Sequence, residues 1–441
     1  MAGPSGGSQG VPSALYSRSL NPLTRLAGPA GGRSSAAGWR AYAASLNQEA
    51  EARNFQMGPV AFSMGAGTSF VYDSNINGSP TDPLADFIVE PSLSLSFFWP
   101  VTRRNELSLS IGLSYQYYAL HPEYANSGFS VDPTTGLEFR VYTGDFVITI
   151  YDSPSITTNP PGGDPALENT GYFREFQNTI GISILWDLNK LVTVTGLERG
   201  DSFSLDGDFS NVNQTSYSAF LQSMYTITPT TSVGFRISAS ANDFTSNALN
   251  NSVTSFYGLL LNTRLTDYTS LYFEAGVQSG IYEENAPVVS QPAFVQNADG
   301  FNTNIDGTLG GGNFLQPYFR LGVYNRLNRF LTQNLFLARE AQASSVSNYR
   351  EEFTVDYSLN YRLNRFTSLS AGGGIGFGQV SSSGTEDFPF YQWNARLGAQ
   401  FDIMRDVTLG LSYDYFVNNF GDTPDSTYTR QRVSLNVNWS F

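Results

Sequence analysis

Between Glu106 and Tyr118 the chain reads ELSLSIGLSYQYY. Leu107, Leu109, Ile111, Leu113, Tyr115 and Tyr117 fall on one face of an extended chain, with Ser108, Ser110, Gly112, Ser114 and Gln116 on the other. Successive side chains of a strand point to opposite faces, so this period of two predicts a strand with one apolar and one polar face. The length decides more than the period. A globular strand usually has about five or six residues, whereas a tilted strand crossing a bilayer needs about 9–11 plus its interfacial ends.

The same rhythm recurs in VEPSLSLSFFW (89–99), TSVGFRISAS (231–240), SLYFEAGVQSG (270–280), EFTVDYSLNYR (352–362) and YQWNARLGAQFD (391–402). Between such runs, short links alternate with long ones. TGD (143–145), LNK (188–190) and MRD (404–406) are short; 121–133, 156–171 and 284–312 are long. Short turns on one side and long loops on the other mark an up-and-down transmembrane barrel; a sandwich has no reason to sort its loops. The segments from residue 57 to 441 predict an all-β, antiparallel, transmembrane β-barrel of about 18 strands. If 134–143 and 145–156 form one bent strand, the number is 16.

Composition agrees. Only 14% of the 441 residues are charged, against about 25% in ordinary soluble domains. No run of about 18 apolar residues offers a transmembrane helix. There is no Cys, and His121 is the single histidine; thiolate chemistry, disulfides and histidine-based zinc sites therefore lack their ligands. DGDFSN (206–211) begins like a calcium loop, with Asp206, Asp208 and Ser210 in alternation, but lacks Gly at the sixth position and has Tyr217 where the bidentate Glu belongs. We expect no enzyme activity, no cofactor and no metal site. The net charge of −14 excludes nucleic acid as a partner, because phosphate neutralisation needs basic residues.

Residues 1–56 differ from the rest. The first 35 are rich in Gly, Ala, Ser and Pro, which suits an irregular segment. Over 36–54, Trp39, Tyr42, Ala43, Leu46 and Ala50 recur at helical spacing. Arg18, Arg25, Arg33, Arg40 and Arg53 make the segment basic. It is expected either to plug the lumen or to serve as a periplasmic tail that binds a partner. A signal peptide is not present in this sequence, so export requires that the sequence start after a cleavage site or be truncated; otherwise the export reading fails.

If the apolar face meets lipid, parity assigns the lumen. Glu90, Glu138, Arg140, Arg236, Glu274 and Arg320 face inward from the first two thirds of the barrel. Glu352, Asp356, Arg362, Arg396, Asp414, Arg430 and Arg432 do so from the last third. Such mixed charges either set a selectivity field across the pore or pair with one another. SLSAGGGIGFG (368–378) turns Ser368, Ser370, Gly372, Gly374, Gly376 and Gly378 inward. A wall without side chains leaves room for a segment to lie against it.

The last nine residues, VSLNVNWSF (433–441), alternate Val433, Leu435, Val437, Trp439 and Phe441 with Ser and Asn. This stretch resembles the β-signal of Gram-negative outer-membrane proteins, which the barrel-assembly machinery reads in that family. SFVYDSNI (69–76) is similar to first strands of outer-membrane β-barrel porins associated with polysaccharide systems. The resemblance implies the bacterial outer membrane as location, with outer-membrane lipid and the assembly machinery as partners and a homo-oligomer or envelope protein as a further one. It implies a passive channel for small hydrophilic solutes, oligosaccharides or anions among them. The alternative is a structural barrel anchoring a cell-envelope assembly through its tail or loops.

Overall fold

A computed structural model describes residues 55–125, 128–158, 174–205, 213–245, 250–283, 313–343, 348–380, 388–420 and 427–441. After a short β1 (Phe55–Met57), the wall begins with β2 (Val60–Asp73), β3 (Asp86–Thr102), β4 (Asn105–Tyr115) and β5 (Tyr117–Tyr118). It continues through β6 (Phe129–Val131), β7 (Gly136–Thr143), β8 (Phe146–Thr158), β9 (Arg174–Leu188), β10 (Leu191–Ser204) and β11 (Gln214–Thr228). Then come β12 (Thr231–Phe244), β13 (Ser252–Arg264), β14 (Thr269–Tyr282), β15 (Phe314–Arg326) and β16 (Leu331–Ala343). The circuit ends with β17 (Tyr349–Arg362), β18 (Thr367–Val380), β19 (Phe388–Met404), β20 (Val407–Phe420) and β21 (Thr427–Ser440).

Each strand pairs antiparallel with its neighbour. β21 returns to β2 in a ladder running from Gly65↔Ser440 to Asp73↔Arg432. Because β4 with β5, and β6 with β7, each make one broken staff, the barrel has eighteen strands and no open edge among the described residues. The doubtful pair 134–143 and 145–156 resolves into a true hairpin, with Thr143 opposite Phe146. Gly144, at φ +60°, and Asn189, at φ +65°, supply the left-handed backbone that such tight turns require.

The stretch that decides the fold is less continuous than its period suggests. At Gln116 the backbone N–H turns aside to donate to Gly128 O at 2.7 Å, and the strand breaks there. A Cβ on Gly128 would collide with the Gln116 carbonyl, so the close approach needs glycine. On the partner staff, Asp132–Thr135 forms an inserted turn, with Thr135 N donating to Asp132 O at 2.8 Å.

The outward rows are apolar and exposed, as at Leu197, Leu259 and Leu315. Rings gather at the short-turn end, where Phe146 stacks on Trp186 and Trp439 on Phe441; aromatic belts of this kind sit at bilayer interfaces. Phe55–Met57 pairs with β2, Phe55 opposite Phe62. The helix expected over 36–54 lies outside the described residues, as do 206–211 and 284–312.

Candidate functional site: the barrel interior

Strand register carries one parity around the whole wall, and each charged residue assigned inward by sequence lies on that inner face. On the β12–β16 side Glu274 is fully buried, at 0% exposure. It accepts from Tyr272 Oη at 2.5 Å and Tyr318 Oη at 2.8 Å. The Arg320 guanidinium stands 3.5 Å away and that of Arg236 3.8 Å away. Arg320 also donates to Glu340 at 2.5 Å and lies over the rings of Phe256 and Tyr318. The cluster follows from register: Glu274 faces Arg320 directly and Leu260 on its other side.

A second cluster sits at the seam. Arg430 binds the buried Asp73 through two nitrogens, at 3.0 and 2.6 Å, and Arg432 approaches the same carboxylate at 3.3 Å. Beside it on β3, Asp86 has no guanidinium. Instead it accepts from the backbone N–H groups of Ala119, Leu120 and His121 at 2.8–3.0 Å, and so pins the turn that follows β5. His121 Nδ1 meets Glu123 Oε1 at 3.1 Å; this places the single histidine in a mouth turn, where Glu123 is held below the usual carboxylate range by its own backbone N–H and by His121. Further pairs are Arg140 with Glu106 at 3.0 Å and with Glu138, Arg396 with Asp414, and Arg350 with Glu352 at 3.4 Å. Arg362, at the short-turn end of β17, is exposed.

The glycine wall is not vacant. The carboxylates of Asp356 and Glu352 lie across Gly374 and Gly376, and a Cβ at Gly376 would come within 2.7 Å of Glu352 Oε1. These glycines make room for acids from the adjacent β17, which corrects the reading of β18 as a bare surface. At the long-loop end, residues 74–85 fold over the lumen. Ile76 and Leu84 pack on the inward Val71, Ile88 and Tyr118. Asn75 Nδ2 ties this loop to Thr429 O at 3.1 Å and Ser79 O at 2.8 Å.

Sequence parity overlooked Asp73, Asp86, Glu106, Glu175, Asp187, Glu198, Glu340 and Asp402, and on the basic side Arg264, Arg326 and Arg350. With these included, fourteen carboxylates and ten guanidiniums carry the inward parity on the described strands. Seven of these guanidiniums have an inward carboxylate within 3.8 Å, and the other three, Arg264, Arg326 and Arg362, end β13, β15 and β17 at the short-turn rim. Val433, Leu435, Val437 and Trp439 face outward and exposed on β21, and Phe441 N donates to Met64 O at 2.8 Å. Among the described residues, no three His, Asp or Glu side chains converge as metal ligands.

No family model matches the chain, and no curated protein matches it in sequence. Solved structures do. The chain is similar to OpdQ of Pseudomonas aeruginosa, with TM-score 0.51 and 9% identity over 87% of this chain and 99% of the other. It is similar to a BenF-like porin from Pseudomonas fluorescens Pf-5, at 0.50 and 11%, over 87% and 100%. OccK2 (OpdF) of Pseudomonas aeruginosa, solved in complex with glucuronate, gives 0.50 and 10%, over 87% and 98%. At such identities the likeness speaks for the fold alone: this chain is an eighteen-stranded, closed antiparallel β-barrel with the fold of these porins.

Proposed function

We propose that the barrel is a passive channel for small hydrophilic solutes in a Gram-negative outer membrane. One observation carries this: the wall is closed, apolar and exposed on its outer rows, and polar with charges of both signs on its inner rows. A barrel of this strand number encloses a lumen wide enough for water, and so polar an inner face suits passage of polar solutes. Outer-membrane lipid is the matching partner for the outer rows, and the barrel-assembly machinery for the alternating β21. Purified protein added to a planar lipid bilayer is expected to give stepwise current. A bilayer that stays silent while the protein is folded and inserted would remove the channel reading.

Residues 1–54 are proposed to occupy part of the lumen. They join the wall at Phe55, opposite Phe62 and near the short-turn end, and their five arginines against two glutamates suit an acidic interior. Deleting them should raise single-channel conductance. Unchanged conductance would place the segment elsewhere and favour the anchoring reading, in which the tail meets an envelope partner.

A further inference from the structure

Resting on the channel reading, we infer that the lumen passes small cationic solutes in preference to anions. Inward carboxylates outnumber inward guanidiniums, and seven of the ten inward arginines are already held by an acid; the other three, Arg264, Arg326 and Arg362, stand exposed at the short-turn rim, at the last positions of β13, β15 and β17. Arg430 and Arg432 share Asp73; Arg236 and Arg320 share Glu274. Above the short-turn rim, a passing anion therefore meets arginines whose charge is already met. The converse does not hold for the acids.

Glu90 has only neutral partners, Ser114 Oγ at 2.7 Å and Gln116 Nε2 at 3.4 Å. It is half-buried on the upper part of β3, within reach of lumen water. Asp356 is exposed at mid-height on β17. It has no guanidinium within ion-pair distance among the described residues, although Arg396 on β19 acts on it from further away. These two carboxylates stand on strands that lie about a third of the circumference apart, so they bias the lumen from separate sides. Low-dielectric walls carrying one excess sign focus the field and concentrate the opposite ion, and Asp/Glu rings are the usual lining of cation-selective pores. Seated in the lumen, the five arginines and two glutamates of residues 1–54 would offset part of the excess without inverting it.

The test is the reversal potential of the full chain in a planar bilayer under a tenfold KCl gradient. Potassium is expected to permeate over chloride by roughly threefold or more, because the excess acids enrich the counter-ion locally. The preference should shrink as salt is raised and the field is screened. In the double variant Glu90→Gln, Asp356→Asn, both changes keep side-chain shape at solvent-reached positions, and the ratio should fall toward unity with conductance retained. Chloride preference, or no preference, in the unmodified chain overturns the inference while leaving the channel intact. A ratio unmoved by the double variant overturns the assignment to these two acids. Absence of any current defeats the channel reading on which the inference rests.

Discussion

Replacing Glu274 with alanine should destabilise the barrel by about 3–5 kcal/mol, the cost typical of removing one partner from a buried ion pair. The burial decides between that figure and the roughly 0–1 kcal/mol of an exposed pair. The side chains of Glu274 and Arg236 are 1% and 4% exposed, and that of Arg320 14%. The loss would leave two guanidiniums without this carboxylate and strip the acceptor from Tyr272 and Tyr318. Urea unfolding of the refolded barrel in lipid vesicles, followed by tryptophan fluorescence, measures it. A loss under about 1 kcal/mol would mean that lumen water solvates these groups as bulk water does.

Leu259→Arg should cost about 2–4 kcal/mol in the same assay, the penalty for a cation at the midplane of a lipid-facing strand. Leu259 is 72% exposed near the middle of β13. In a water-soluble protein so exposed a position would tolerate the change within about 0.5 kcal/mol. Val253, on the same outer face but at the long-loop end of β13, should cost only about 0–1 kcal/mol when changed to arginine. Equal costs at the two sites would contradict a bilayer around this wall.

The barrel was legible because three periodic signals agree: strand alternation, strand length, and the sorting of short turns from long loops. Each comes from a constraint that acts on every strand, so errors at one segment do not spread. What was not legible depends on non-local contacts. The break at Gln116 arises from Gly128, across a loop, and no local pattern announces it. Most of the missed charges share a cause. Asp73, Asp86, Glu175 and Arg350 lie at or next to strand ends, where a shift of one residue in the boundary reverses the face. Glu198 follows Val192 and Val194, which point inward although apolar, so the usual apolar-out rule assigns that strand's face ambiguously. The omissions were mostly acidic, and restoring them changes the sign of the pore from balanced to negative.

The seam has a consequence for how the barrel forms. The hydrogen bonds from Arg430 to Asp73 join residues 357 apart in sequence, while nearly every other strand pairing joins consecutive hairpins. Hairpins can assemble locally, but closing so large a loop carries the greatest entropic cost and slows folding. Until it closes, β2 and β21 each present a long row of unsatisfied backbone groups, which is a template for pairing with another chain. The Asp73–Arg430 clasp and the ladder beneath it therefore mark the last event of folding, and the interval before it is when the protein is most exposed to aggregation.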